Sequence, residues 1–343
     1  MAGGQGTRFW PWSTEDKPKQ FLNVIGNSSL INLTFKRLIK FIKPENIFIV
    51  ADKKYLNLIK DSIKEFKVSN FIDEPEPKNT APCLILSNIF VSRINENANV
   101  LVVPADHYIL DEDVFAEQFS DSLERVFGRD VIITSGIKPN IPHTGYGYIK
   151  FDKKVINRQN KTEFFNVIEF KEKPDFKTAE SYVRSGNYYW NSGMFVYNVN
   201  GFKKLLKKYS DYYFEVYEKL EKNYENYQKL KEIYSEIKPE SIDYALMEKV
   251  KEMELFEAKF RWSDVGSWTS VYELKEKDDN GNVADNNSII INSKNSFIFS
   301  TESKPIAIID LKGIFVINTE NGILVSKRDS LQRVKEVIKK IKK

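Results

Sequence analysis

Sulfur and imidazole are scarce in this chain of 343 residues, which holds one cysteine, two histidines and four methionines. A lone Cys83 rules out an internal disulfide. His107 and His143 lie far apart without cysteine partners, which argues against a histidine-based zinc site and leaves a hard cation on carboxylates as the better fit. No apolar run approaches the length of a membrane span or a signal h-region, so a soluble cytoplasmic protein with no membrane contact is expected. Charge of one sign is missing too. Lys and Arg number 52 against 48 Asp and Glu, a net +4, and much of the excess sits in the basic tail 335–343. That balance leaves no nucleic-acid footprint. What remains is an ordinary 41% hydrophobic content and a length that suits one large α/β domain plus a smaller one.

The N-terminus reads Gly3-Gly4-Gln5-Gly6-Thr7-Arg8-Phe9-Trp10-Pro11 and continues after a polar stretch with Pro18-Lys19-Gln20-Phe21. Glycines let backbone N–H groups approach a polyphosphate closely, and Arg8 and Lys19 can neutralise it. The expected ligand is a nucleotide. A P-loop would need Gly-Lys-Ser/Thr after the last glycine, and a dinucleotide fingerprint would need a glycine where Phe9 stands. Both are absent, which argues against ATPases and dehydrogenases.

Short β-rich runs at 46–50, 70–73, 100–103 and 131–134 alternate with helical patterns over 30–41, 55–66, 81–94 and 114–126. This is the βαβ rhythm of a parallel sheet, on which ligands bind beyond the carboxyl ends of the strands. Glu74 and Asp106 follow strand ends and so fall on that edge. More strands over 148–198 enclose a helix at 178–185, and the polar stretch 202–237 reads as solvated surface helices. After Gly281 the pattern changes to short strands at 288–292, 297–300, 307–310, 315–318 and 323–326. A last helix, capped by Asp329 or Ser330, aligns Leu331, Val334, Ile338 and Ile341 on one face. Cys83 reads as a small buried hydrophobe.

The glycine motif with Trp10-Pro11 and Pro18-Lys19-Gln20-Phe21 resembles the sugar-nucleotide pyrophosphorylases, and among them the mannose-1-phosphate guanylyltransferases. The resemblance recurs at Asn79-Thr80-Ala81-Pro82, Pro104-Ala105-Asp106-His107, Thr144-Gly145-Tyr146-Gly147-Tyr148-Ile149 and Glu172-Lys173-Pro174. It continues at Trp190-Asn191-Ser192-Gly193-Met194-Phe195, Ser241-Ile242-Asp243-Tyr244-Ala245 and Trp262-Ser263-Asp264-Val265-Gly266-Ser267-Trp268. It implies an α/β fold with a Rossmann-like, mixed, mostly parallel sheet over 1–280. A small β domain resembling a short β-helix would follow over 281–343 and end in a helix. Family members bring a hydrophobic strand into the glycine turn, whereas only Met1 and Ala2 precede Gly3 here. The expectation is a missing first strand from a misplaced start codon or a trimmed chain, with both neighbouring strands exposed. The chain also ends too soon for the added cupin-type isomerase domain of some members, so a single activity is expected.

The implied reaction is attack of an α-D-mannose 1-phosphate oxygen on the α-phosphorus of GTP, giving GDP-mannose and pyrophosphate. Its nucleophile is already an anion, so alignment and charge neutralisation suffice. The resemblance implies Arg8, Lys19, Asp106, Lys173 and Asp264 as catalytic residues, with Mg²⁺ on Asp106 and Asp264. Gly3, Gly4, Gly6, Thr7, Glu74, Asn79 and Thr80 would bind the nucleotide, guanine meeting backbone groups after Gly3 and around Glu74. Gly147, Glu172, Asn191 and Asp243 would cradle the sugar. The apolar runs of the C-terminal module would leave edges for a second copy to cover, which points to a homodimer. Two other readings stay open: a nucleotidyltransferase for another sugar 1-phosphate or base, and a non-catalytic sugar-nucleotide-binding regulatory subunit.

Overall fold

The computed structural model describes residues 1–4, 6–285 and 287–341; Gln5 of the glycine motif, Asn286 and the last two residues of the basic tail lie outside it. Two strands, β1 (Ile49–Ala51) and β2 (Phe71–Asp73), pair in parallel. The main sheet takes β3 (Asn99–Val102), while the short β4 (Tyr108–Ile109) leaves it. The sheet continues with β5 (Ile132–Ile137), β6 (Tyr148–Gln159), β7 (Thr162–Lys171), β8 (Tyr188–Asn198) and β9 (Met253–Glu257), and β10 (Trp262–Ser263) pairs with β4. Six strands lie in the order β3-β8-β5-β9-β7-β6. The pairings run antiparallel except for β5 with β9, so β3, β5, β9 and β6 point one way and β7 and β8 the other. The sheet is therefore mixed, with most strands sharing one direction.

Between β1 and β3 stand Met1 and Ala2. The Ala2 N–H donates to Val50 O, the Met1 amino group to Val103 O, and the Ala105 N–H to Met1 O. This short bridge covers the ends of the two strands beside the glycine turn. All three residues of β1 are buried, while three of the four in β3 are partly open. The exposure expected of both neighbours is thus found on β3 alone, because helices 30–38 and 80–94 cover β1 with an apolar face that includes Ile31, Phe35 and Leu84.

The stretch read as solvated surface forms three helices, Val199–Tyr209, Asp211–Lys222 and Tyr227–Glu236, and each sinks one face into the core. Phe202, Leu206, Tyr213, Tyr217, Leu220 and Tyr234 are buried there. The lysines and glutamates that dominate its composition occupy only the outer faces, so an overall polar sequence hides an amphipathic one.

Beyond residue 282, β11 (Val283–Ala284), β13 (Phe297–Ser300) and β15 (Ile314–Thr319) stack in parallel, β12 (Ser288–Ile291) pairs in parallel with β14 (Ile306–Ile309), and β16 (Gly322–Lys327) closes on β15 antiparallel. Ile298, Ile308 and Val316 fill the space between these layers. The last helix, Val334–Ile341, is preceded by a 3₁₀ turn, Arg328–Arg333; Leu331 and Val334 are buried, whereas Ile341 of the expected face is exposed.

Candidate active site

Gly6 sits at φ +59°, and a Cβ there would lie 2.4 Å from Lys19 Cβ. Only glycine lets the turn pass that close to the second motif. Lys19 is buried, and its ammonium donates to Asp264 O at 2.8 Å and Val265 O at 3.0 Å while pairing with Asp106 Oδ2 at 2.7 Å. All three ammonium N–H groups are thereby engaged. Lys19 ties the loop after β3 to the loop after β10. Val265 itself holds φ +45°, a conformation costly for a β-branched residue, in the loop that presents its carbonyl.

Asp264 Oδ1 accepts from the Tyr146 hydroxyl at 2.9 Å and from the Gly266 N–H at 3.0 Å. Its Oδ2 has no hydrogen-bond partner among the described residues. Burial pushes the Asp106 carboxyl up, but Lys19 and His107 outweigh it and hold it below its ordinary value. His107 accepts the Trp262 indole N–H on Nδ1 at 3.2 Å, and burial lowers its pKa to about 4, against the pull of Asp106 and Asp264. The ring is therefore neutral near pH 7.

Three adjoining cavities meet here. The first, about 260 Å³, is lined by Gly6, Thr7, Arg8, Lys19, Asp106 and Asp264, with His107 and Lys335. A second, about 240 Å³, takes Gly3, Gly4, Glu74, Asn79, Thr80 and Asp106. The third, about 200 Å³, takes Gly147, Glu172, Asn191, Asp243, His107 and Asp264. Shared walls, Asp106 between the first and second and Asp264 between the first and third, make the two aspartates the junction of all three. Of the sixteen residues singled out from sequence, Lys173 alone lines none of these cavities. Its ammonium lies on Glu172 Oε1.

In the second cavity the Glu74 carboxylate accepts the Tyr234 hydroxyl at 2.8 Å, and its Oε2 would lie 3.0 Å from a Cβ on Gly3. Burial pushes Glu74 up to about 7, against Tyr234 and the N-terminal ammonium, which lower it. Asn79 caps its helix at φ +72° by accepting the Thr80 N–H, and the Thr80 hydroxyl accepts from the Ile242 N–H. In the third cavity Glu172 Oε2 is buried without a hydrogen-bond partner among the described residues, and a Cβ on Gly147 would come within 2.4 Å of it. An orphan buried carboxylate oxygen calls for a donor from outside the chain. Asn191 donates to Asp243 Oδ1 at 3.0 Å, and burial with the nearby Glu172 pushes Asp243 up to about 6, Lys173 acting the other way.

A nucleotidyl transferase family model matches residues 1–281, and a model for the mannose-phosphate isomerase/GMP-like β-helix domain matches 286–341. Mannose-1-phosphate guanylyltransferase of Salmonella montevideo is 34% identical over 348 residues, covering 100% of this chain and 73% of the relative. The enzyme of the same name from Escherichia coli is 34% identical over 98% of this chain and 74% of its own length. The chain belongs to the mannose-1-phosphate guanylyltransferase family. Its structure superimposes on that of mannose-1-phosphate geranyltransferase from Thermus thermophilus with a TM-score of 0.88 at 26% identity, over 100% of this chain and 98% of the other.

For a guanylyltransferase-family site, the local sequence offered no signal for several of the groups found here. Tyr146, His107 and Trp262 belong to motifs that sequence singled out, yet their mutual contacts join residues more than a hundred positions apart. Tyr234 comes from the stretch read as solvated surface, and Lys335 from the basic tail. Trp268, which closes the last of those motifs, is buried in the core. Cys83 is buried as expected, and burial pushes its thiol up, away from thiolate chemistry.

Proposed function

We propose that this chain is an enzyme forming GDP-mannose and pyrophosphate from GTP and α-D-mannose 1-phosphate. The observation that carries the reading is the convergence of three cavities on Asp106 and Asp264. We assign the nucleoside to the cavity of Glu74, the triphosphate to that of Arg8, and the sugar phosphate to that of Glu172. The domain boundary we assign is 280/281.

In this reading Arg8, exposed and unpaired among the described residues, forks over the β- and γ-phosphate oxygens. Lys19 sets the spacing of the two aspartates rather than reaching the phosphate. Glu172 accepts hydrogen bonds from the sugar hydroxyls on its orphan oxygen, Asn191 and Asp243 line the same cavity, and Lys173, half exposed and paired with Glu172, neutralises the sugar phosphate. The donor set suits Mg²⁺. Asp106 and Asp264 are hard oxygen ligands on one cavity, Asp264 with a free Oδ2, and among the described residues no group of three His, Cys, Asp or Glu side chains encloses a metal. The remaining ligands would be phosphate oxygens and water, the usual pattern for this ion. When bound, Mg²⁺ supplies charge neutralisation as the α–β phosphate link breaks. The attacking phosphate oxygen is ionised, so no side chain has to take a proton from it.

The test is pyrophosphate release with Mg²⁺, crossing GTP, ATP, UTP and dTTP against mannose 1-phosphate and glucose 1-phosphate. Release confined to GTP with mannose 1-phosphate is expected; a different preferred pair would sink the substrate assignment.

Guanine offers its N1–H and N2–H₂ as adjacent donors, and an ionised Glu74 accepts both. Because Glu74 titrates near 7 in the fold, kcat/KM for GTP should rise as pH increases through about 7. Glu74→Gln should flatten that limb and lower kcat/KM about tenfold. An unchanged limb would remove Glu74 from base reading. For assembly we infer a homodimer formed through the β12–β14 face, where Ile289, Ile291 and Ile309 are about half exposed in one row. Light scattering should return twice the 40.0 kDa chain mass. We place the reaction in the cytoplasm, with the nucleoside triphosphate supply, and no helix among the described residues is long and apolar enough to cross a membrane.

A further inference from the structure

The cavity of Arg8 has a wall that comes from the far end of the chain. Lys335, on helix Val334–Ile341, lines it together with Gly6, Thr7, Arg8 and Lys19. Its position follows from packing. Val334 is buried and Ile338 half-buried in the apolar cluster that contains Phe9, the residue directly after Arg8. Those two side chains, four residues apart, share one helix face. Their docking holds Lys335, one position on, beside the glycine turn.

The rest of the C-terminal module is seated on the same segment. Thr319 Oγ1 donates to Pro11 O at 3.3 Å, the Trp12 and Phe299 ring centroids are 4.4 Å apart, and Gly322 has room for no side chain without meeting Trp10 at 3.2 Å. The helix therefore rests on the loop that would hold the phosphates, and is not a tail beside it.

Charge decides what Lys335 can do there. Lys19 has every ammonium N–H engaged by Asp106, Asp264 and Val265. Lys335 is exposed and makes no hydrogen bond or ion pair among the described residues. The nearest acidic residue on its helix, Glu336, is already paired with Arg333. Among the described residues, Arg8 and Lys335 are thus the two cations on this cavity whose donors remain open. An incoming triphosphate brings several negative charges, and a divalent ion cancels only part of them.

We propose that Lys335 binds the β- and γ-phosphates of the nucleotide and the pyrophosphate that leaves, so that the C-terminal module supplies part of the nucleotide site. The assignment rests on the reading of this cavity as the triphosphate site. It makes the glycine turn a two-sided clamp, with Arg8 on one side and a lysine from a separate module on the other.

Calorimetry with inorganic pyrophosphate and Mg²⁺ tests it without depending on the base or the sugar. Lys335→Gln should weaken pyrophosphate binding about tenfold, the scale of one lost charge-assisted hydrogen bond. Lys335→Arg should restore most of it, and Lys339→Gln, an exposed lysine that lines none of the three cavities, should bind as the unaltered chain does. In turnover the KM for GTP should rise by a similar factor while the KM for mannose 1-phosphate stays put. Normal pyrophosphate affinity in Lys335→Gln, or an equal loss in Lys339→Gln, overturns the proposal. If no guanine nucleotide reacts at all yet the pyrophosphate affinity falls as stated, the substrate reading fails and the role of Lys335 stands.

Discussion

Asp264→Asn is expected to lower the turnover of GTP with mannose 1-phosphate about a thousandfold, the scale of several kcal/mol of transition-state charge stabilisation. The substitution isolates charge. An asparagine oxygen can still accept from the Tyr146 hydroxyl and the Gly266 N–H, both of which now meet Oδ1. The Lys19 contact in this loop is to the Asp264 backbone carbonyl, which no side-chain change removes. The loop should therefore hold its shape and the thermal midpoint stay unchanged. Asp106→Ala should produce a loss of the same order, with some destabilisation because Lys19 loses its counter-charge. Pyrophosphate release at saturating substrates, with the midpoint measured alongside, checks both. Turnover within tenfold of the unaltered chain for Asp264→Asn would take the carboxylate out of the chemistry.

Lys19→Ala should cost both stability and activity. Three partners lose one donor group at once, and two of them are backbone carbonyls in the Asp264–Val265 loop. Breaking a buried ion pair costs several kcal/mol, but a third of the Asp106 side chain is open to solvent, so about 2 kcal/mol is the expected loss. The pH dependence carries a sign. Asp106 titrates below its ordinary value in the fold, so it contributes stability that is complete above the unfolded value and disappears as pH falls through the folded one. Without Lys19 that lowering shrinks, and the acid limb of the stability curve should move to higher pH. Activity should fall about a hundredfold or more because the two aspartates are no longer held at one spacing. Urea melts from pH 3 to 7 together with pyrophosphate release measure these effects. A variant as stable as the unaltered chain at every pH would show that the three contacts do not hold the loops.

The elements legible in the sequence were those with a local cause. Helix 80–94 was expected one residue short of its observed start, and the strands of the C-terminal coil fell within a residue or two of their expected bounds. Both follow from side-chain periodicity and from turn residues that act on their own backbone. The segment 199–236 was harder, because its apolar residues are diluted by lysine and glutamate and its aromatic tyrosines belong equally to core and surface. Burial there is set by what the three helices meet, not by their composition.

At the site the division is similar. The glycine turn and its arginine stood out in the sequence by residue type, and the family resemblance, carried by short motifs, pointed to the two aspartates and the Glu172 carboxylate, all of which line the three cavities. What each group does with its bonds could not be named. Tyr234 reaches Glu74 across 160 positions and Lys19 reaches the Asp264 carbonyl across 245. Lys335, one lysine in a basic tail, meets the glycine turn only because Val334 and Ile338 dock beside Phe9. Local sequence therefore determined which residue types the motifs bring to the site, because backbone conformation and residue type are properties of neighbouring residues. The tertiary structure alone decided which cations on the cavity are without partners among the described residues, because that depends on groups brought together by packing, and packing leaves no period or spacing in the chain.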